Sequence, residues 1–336
     1  MKSRRHMMLA LAAGALAVPL TAFAQAQKPY RIGFLASEAP ADRSQAKRLE
    51  ALRSSLRELG YTEGKNILIE ERWADGRYDR LPVLASEIVG LKPSVIVTSG
   101  TKATIAARNA TATIPIVMGS TGDPVGLGLT TSLAHPSGNV TGSTNITPEL
   151  APKLLEALKE VAPRTARVAY LVNPADPLTI LPAIQSAASS LRLELRIFEA
   201  AAPKQFDAAF AEIMKAHCDA VVVQADTLFA VNAAAVARLA LKHRLASASS
   251  YVEFAEAGGL ISYGPDRVEG YRLAALFVDK LLKGAKPGEL PIRQPTRFER
   301  VINAKTAGAL DLNIGQALRL RADRVIGDSS TQDGKP

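Results

Sequence analysis

The chain has 336 residues, of which 47% are hydrophobic and 22% are charged. These fractions are typical of a globular protein, and the length predicts two domains in place of one small domain. The formal net charge of +9 is spread along the chain without a basic block. This distribution argues against a nucleic-acid-binding surface, so we expect no nucleic-acid partner. We also expect the protein to be a monomer.

The first 24 residues have the three-part pattern of a secretory signal. Three basic residues precede an apolar run at residues 7–20, and residues 22–24 read Ala-Phe-Ala, an A-x-A cleavage site. The run is too short and too interrupted for a permanent membrane span, and no cysteine follows it to carry a lipid. We predict cleavage near Ala24 and a periplasmic protein. The basic start suits general secretion and the twin-arginine route equally.

Apolar runs and amphipathic segments then alternate along the first part of the chain. Strands are predicted at residues 31–36, 66–73, 95–97, 114–118 and 139–142, and helices at residues 43–59, 78–90, 102–109 and 125–133. Continuous apolar strands that alternate with helices are typical of a parallel sheet covered on both faces.

A second series of the same kind follows. Strands are predicted at residues 167–172, 194–198, 220–223, 247–251, 259–263 and 298–302, and helices at residues 150–161, 180–191, 203–216, 231–243, 268–282 and near 305–310. The first series lacks a closing helix, and the late helix at 268–282 is available to return to it.

These two series predict an α/β fold of two doubly wound parallel-sheet lobes joined by a hinge. The predicted domains are a signal peptide at 1–24, an N-terminal lobe at 28–143 plus about 266–295, and a C-terminal lobe at 144–265 plus about 296–330. Candidate hinges lie at 142–146, 263–266 and 294–297. We expect the hinge to close over a ligand.

The short motifs of common enzymes are missing from the chain. There is no dinucleotide-binding or phosphate-binding glycine loop, no serine-nucleophile elbow, and no zinc or calcium pattern. The one cysteine, Cys218, beside His217, is expected to be a small buried hydrophobe, with a catalytic role as the alternative. We predict a binding protein with no catalytic residue, metal or cofactor.

Polar residues follow many of the predicted strands, where a parallel sheet opens into its ligand crevice. Hydroxyls and exposed backbone N–H groups suit an anionic or polar ligand group, and an acid such as Asp226 suits an ammonium. The same residues could equally be helix caps or solvated loop residues. Two tyrosines are candidates for stacking on a ligand ring. The predicted ligand-binding residues are Ser37, Ser99, Gly100, Thr101, Thr121, Asp123, Pro124, Asn173, Asp226, Tyr251 and Tyr263.

An ordered set of short segments carries a family resemblance. The segments are RIGFL at 31–35, LRELGY at 56–61, VIVT at 95–98, IPIV at 114–117, GDPVG at 122–126, GNVTG at 138–142, EAGGL at 256–260, LKGAKP at 282–287 and VIN at 301–303. With these segments the chain resembles the ABC-transporter substrate-binding proteins of the tryptophan/tyrosine-type family, which have a type I periplasmic-binding-protein fold.

The resemblance implies a solute that is captured between two lobes and delivered to a membrane permease and ATPase. Aromatic amino acids are the solutes it implies. It places Gly100, Thr101 and the turn at 122–124 on one wall, and Asn173 and Asp226 on the other, with Asp226 as the ammonium partner. The segments at 37–42 and 227–229 depart from the pattern expected of tryptophan binders. A ligand sensor for a membrane receptor and an exported α/β enzyme are the alternatives.

Overall fold

The computed structural model describes residues 28–145, 150–176 and 180–327. The predicted signal peptide at 1–24 lies outside these described residues. Two sheets, one of five strands and one of seven, form the cores of two lobes, which confirms the predicted α/β class. Within the described ranges, no helix has the length and apolar character needed to cross a membrane.

The elements of the first series are β1 Tyr30–Ala36, α1 Arg43–Glu58, β2 Ile67–Trp73, α2 Leu81–Gly90, β3 Val95–Ser99, α3 Thr101–Ala110, β4 Ile116–Thr121 and β5 Val140–Thr144. The remaining elements are α4 Leu150–Val161, β6 Arg167–Val172, α5 Leu181–Ser190, β7 Glu194–Glu199, α6 Phe206–Lys215, β8 Ala220–Val223, α7 Thr227–Val231, α8 Ala233–Lys242, β9 Ala246–Ser249, α9 Val252–Glu256, β10 Ile261–Pro265, α10 Arg267–Leu282, β11 Phe298–Asn303, α11 Ala304–Ala309, α12 Gln316–Arg321 and β12 Arg324–Ile326.

The first sheet has the order β2-β1-β3-β4-β5, and all of its strands run parallel. Helices α2 and α3 cover one face, and α1 and α10 cover the other. Strands β3 and β4 are therefore buried along their whole length. Burial on both faces is the physical reason that they read as continuous apolar runs in the sequence.

Helix α10 packs on the first sheet although it comes late in the chain. Its residues Tyr271, Ala274 and Val278 lie in one apolar cluster with Leu52 of α1 and Val117 of β4. The chain thus supplies the covering helix that its first series lacks. The domain limits proposed from the sequence stay a prediction.

The second sheet has the order β12-β11-β10-β9-β8-β6-β7. Strand β11 is antiparallel to β10, and the other pairs are parallel. This reversal arises because the chain re-enters the second lobe from α10 and runs back along β10. Helices α4 and α5 pack on one face, and α6 and α8 pack on the other.

The predicted helix at 125–133 is wrong, because this segment folds as a series of turns. Gly128 has a φ of +66°, a conformation that no right-handed helix contains. The carbonyl of Pro124 accepts hydrogen bonds from the backbone N–H groups of Leu129 and Thr130 at 2.9 and 3.2 Å. The leucines of this segment favoured a helix, but Gly126 and Gly128 within it made turns the better conformation.

Candidate functional site in the cleft between the lobes

The carboxyl ends of the parallel strands in the two sheets face each other across a cleft. Tyr78 of the first lobe donates a hydrogen bond to Asp226 of the second, with 2.7 Å between Oη and Oδ2. Arg48 on α1 donates to Glu253 on α9, with 2.8 Å between Nη1 and Oε1. Ligands of open α/β sheets bind at this end of the strands, so the cleft is the candidate site.

Asp226 is a buried carboxylate at the centre of this cleft, with 5% of its surface exposed. It caps α7, and Oδ1 accepts hydrogen bonds from the Leu228 N–H at 2.9 Å and from Asn173 Nδ2 at 3.0 Å. Tyr78 supplies the donor to Oδ2. All three donors are neutral, and burial raises the pKa of the Asp226 carboxyl above its usual value. A bound ammonium is the group that would best stabilise such a carboxylate.

Tyr78 is a cleft residue that the sequence analysis missed. It lies in a single 3₁₀ turn, Tyr78–Arg80, that precedes α2. Burial, followed by the charge of Asp226, raises the pKa of Tyr78 well above its usual value. The phenol therefore stays protonated and donates a hydrogen bond to Asp226. Its position shortly after the carboxyl end of β2 was the available signal, because the same rule identified Asp226 after β8.

Asp176 is a second acid beside Asp226. Gln224 Nε2 donates to Oδ2 of Asp176 at 3.2 Å, while Oδ1 is buried without a hydrogen-bond partner among the described residues. Burial, and then the charge of Asp226, raise the pKa of Asp176 to about 7, and Lys102 on the other lobe opposes this rise. The second lobe therefore presents two neighbouring acids, whose mutual repulsion a cationic ligand group would relieve.

This raised pKa predicts how stability depends on pH in the unliganded protein. The pKa of Asp176 is near 7 in the folded state and near 3.8 in the unfolded state, so the folded state holds its proton longer. Stability from this group therefore falls between about pH 4 and pH 7 and then levels off. We expect Asp176→Asn to be more stable than wild type by about 2 to 4 kcal/mol at pH 8 and unchanged at pH 4. Urea unfolding at both pH values measures this, and an equal effect at both would contradict it.

On the first lobe, Ser37 and Gly100 lie close to Thr227 of the second lobe. Gly100 has a φ of +89°, and a Cβ there would lie 2.9 Å from Ser37 Oγ and 3.3 Å from Thr227 Oγ1 of the second lobe. Only glycine fits this position. Ser37 Oγ is buried and has no hydrogen-bond partner in the part of the chain that the structure describes.

Helix α3 begins directly after Gly100, with no side chain capping its first N–H groups. Thr101, its first residue, accepts a hydrogen bond from the Gly122 N–H at 3.1 Å, which ties the loop after β4 to the helix. The unpaired N–H groups of a helix N-terminus attract anions. With Ser37 Oγ, this end of α3 is the candidate site for a ligand carboxylate.

Ser99 and Thr121 are engaged within the first lobe. Ser99 Oγ donates to Glu38 Oε2 at 2.9 Å, and Thr121 Oγ1 shares a hydrogen bond with Thr104 Oγ1 at 2.8 Å. Both residues are fully buried at the ends of their strands. Their hydroxyls hold the wall of the cleft in shape.

Asp123 and Pro124 also make local bonds. The carboxylate of Asp123 accepts from the N–H groups of Val125 and Gly126 at 3.1 and 2.9 Å, so it caps the turn that follows β4. From the sequence alone, this cap and a ligand-binding role are the two alternatives for Asp123. The contacts place Asp123 in the cap, and its role toward a ligand stays a prediction.

The two candidate stacking residues occupy different places. Tyr251 is buried in the cleft, where its hydroxyl donates to the Ala225 carbonyl at 3.2 Å and the Arg267 guanidinium lies 4.1 Å from its ring centre. Tyr263 instead stacks on Phe298, with ring centres 5.9 Å apart and planes 12° apart. Tyr263 thus has its aromatic partner within the second lobe, and its role toward a ligand stays a prediction.

A buried network of two acids and two arginines lies beside Tyr251. Glu38 Oε1 lies 3.5 Å from Arg48 Nη2 and 3.3 Å from Arg267 Nη2. Glu253 Oε1 lies 2.8 Å from Arg48 Nη1 and 3.6 Å from Arg267 Nη1. Burial disfavours the charge on Glu253, but Arg267 and Arg48 outweigh it and lower its pKa. The network joins the lobes with balanced charges.

Cys218 lies in the apolar core of the second lobe, as the sequence predicted. Burial raises the pKa of its thiol, which is opposite to what a nucleophilic cysteine needs. Among the described residues, no group of three or more His, Cys, Asp or Glu side chains could hold a metal ion.

The family model for the ABC transporter substrate binding protein matches residues 41–326. This match spans most of the chain, so the protein belongs to the family of ABC transporter substrate-binding proteins. The fold and the cleft agree with this assignment, because both lobes present strand ends to a shared site.

Several relatives are similar to this chain. A tyrosine-binding protein of Clostridioides difficile (strain R20291) is 26% identical over 284 residues, which cover 84% of this chain and 80% of that protein. A conserved domain protein of Vibrio cholerae has 25% identity and a TM-score of 0.84, over 89% of this chain and all of that one.

Two further solved structures are similar to this chain, one with a bound ligand and one without. An ABC domain from Streptococcus pneumoniae in complex with L-Trp has a TM-score of 0.82 at 23% identity, over 89% of this chain and 100% of that one. A ligand-free, open substrate-binding protein from Clostridium difficile has a TM-score of 0.66 at 21% identity, over 88% of this chain and 99% of that one. All share the two-lobe fold.

Proposed function

We propose that this protein is the exported solute-binding subunit of an ABC importer, which captures an amino-acid-like solute by closing its two lobes. Its partners would be the membrane permease and ATPase, and it would act as a monomeric binding protein without catalysis. The leader pattern at residues 1–24 supports a periplasmic location.

The observation that carries this proposal is the hydrogen-bonded carboxylate of Asp226, which receives donors from both lobes. A ligand ammonium at Asp226 would gain a buried ionic partner. A ligand carboxylate would lie at the N-terminus of α3, beside Ser37 Oγ, on the opposite wall. An α-amino acid carries both charges, and closing the lobes would bring the two walls onto it. The tyrosine-binding relative supports an aromatic side chain.

A thermal-shift screen of residues 25–336 tests this function directly. We expect L-tyrosine, L-tryptophan or L-phenylalanine to raise the melting temperature, because a ligand at a hundredfold excess over its Kd adds about 2.7 kcal/mol of stability. Nucleosides and carboxylic acids without an amine serve as comparisons. A response only to acids without an amine would reject the ammonium role of Asp226, and turnover of a bound solute would reject the binding-protein role.

Tyr78→Phe should weaken binding of the amino acid found in this screen by about 10-fold. The substitution removes a hydrogen bond to a buried carboxylate, and such bonds contribute about 1.5 to 3 kcal/mol. This bond joins the lobes, so part of its energy stabilises the closed state. Tyr263→Phe is the matched control, since Tyr263 lies on the β10–β11 pair. Calorimetric titration measures both variants, and equal Kd values for the two would contradict the role of Tyr78.

A further inference from the structure

A cavity of about 320 Å³ lies at the hinge, outside the cleft. Three segments at which the chain passes between the lobes line this cavity, and they are residues 144–145, 265–267 and 293–297. Neither Asp226 nor Asp176 borders it. The cavity is therefore a separate site, and its shape depends on how the lobes are arranged.

The floor of the cavity is apolar. Leu273, Leu276 and Phe277 of α10 line it, together with Gly119 and Gly270. Leu276 is 46% exposed, a large apolar side chain left at the mouth. A dry cavity of about 150 Å³ holds benzene, so this larger one suits an apolar body of roughly ten to twelve heavy atoms.

The rim of the cavity carries an excess of positive charge. Lys280, Arg293 and Arg297 line it, and among the described residues none of them forms an ion pair with an acid. Of the two rim acids, Glu269 pairs with Arg272 at 3.2 Å. Asp266 accepts a hydrogen bond from the Val268 N–H at 2.9 Å and keeps its negative charge, so in the described part of the chain the three cations outnumber the one acid that has no cationic partner. This arrangement favours an anionic group at the mouth.

We propose that the hinge cavity binds a small carboxylate with an apolar body, whose anionic group faces Lys280, Arg293 and Arg297. This inference does not depend on the solute of the cleft. The wall of the cavity includes α10, which packs on the first sheet, and Pro265, which belongs to β10 of the second sheet. A bound molecule would therefore favour one lobe arrangement and couple to solute binding in the cleft.

The test is calorimetric titration of residues 25–336 with naphthoate, and with naphthamide as its neutral counterpart. We expect one naphthoate per chain. The amide should bind about fivefold more weakly, because solvent-exposed charge pairs contribute up to about 1 kcal/mol. No detectable naphthoate binding at millimolar concentration would overturn the proposal.

Variants of the lining locate the site. Leu276→Trp should fill the mouth and weaken naphthoate binding at least about tenfold, because the apolar floor becomes inaccessible. Leu320→Trp, an exposed leucine on α12, is the matched control and should leave binding unchanged. Unaltered binding in Leu276→Trp would overturn the proposal.

Charge variants and a cleft variant complete the test. Combined Arg293→Gln and Arg297→Gln substitutions should abolish the preference for naphthoate over the amide, whereas Arg238→Gln on α8 should preserve it. Asp226→Asn should retain naphthoate binding. Loss of naphthoate binding in Asp226→Asn would place naphthoate in the cleft and overturn the proposal. A failed amino-acid screen would reject the proposed solute of the cleft and would not change the naphthoate measurements.

Discussion

Asp226→Asn should reduce amino-acid affinity by about 100-fold or more. Asparagine keeps the shape of the side chain. Its oxygen can still accept from the Leu228 N–H, and its NH₂ group can donate to the Tyr78 hydroxyl, which then acts as the acceptor, so the fold of the cleft is retained. It removes the negative charge that an ammonium needs inside a buried site. Removing one partner of a buried, hydrogen-bonded charge pair costs about 2 to 5 kcal/mol, which corresponds to a large loss of affinity.

Asp123→Asn is the matched control for this prediction. Asp123 also follows a strand, but its carboxylate already accepts from two backbone N–H groups of its own turn. An asparagine oxygen can make the same cap, so the amino-acid Kd should change by less than about threefold. Calorimetric titration of both variants measures the difference. Equal losses in the two variants would refute the assignment of the ammonium site to Asp226.

Glu38→Gln should destabilise the protein by about 3 kcal/mol. Glu38 is 1% exposed and faces both Arg48 and Arg267, so its loss leaves two buried guanidiniums with Glu253 as the remaining acid of the network. Breaking a buried ion pair by removing one partner costs about 3 to 5 kcal/mol, because the remaining charge is uncompensated. Urea unfolding at neutral pH measures this effect.

Glu50→Gln supplies the control for Glu38→Gln. Glu50 pairs with Arg57 at 2.7 Å, but the side chains of both residues are more than half exposed. Exposed pairs contribute about 0 to 1 kcal/mol because water screens their charges. A similar loss of stability in both variants would mean that the buried network has no special role in holding the lobes together.

The cleft also explains which single residues could be identified without a structure. Asp226 follows a buried strand of four consecutive apolar residues, and that position pointed to it directly. Tyr78 follows β2, an edge strand whose residues are mostly half-buried, so its sequence lacks the continuous apolar run that marks β8. Glu253 and Arg267 had no local signal, since each takes its role from a partner on another element.

The sequence determined the class of fold, because each central strand is covered on both faces and so must be apolar along its length. It also determined that hydroxyls, glycines and acids lie at the carboxyl ends of these strands. Only the tertiary structure decided which of them meet. Tyr78 and Asp226 are 148 residues apart, and Arg48 and Glu253 are 205 apart. Contacts of this kind depend on how two lobes pack, and local periodicity along one segment holds no information about that packing.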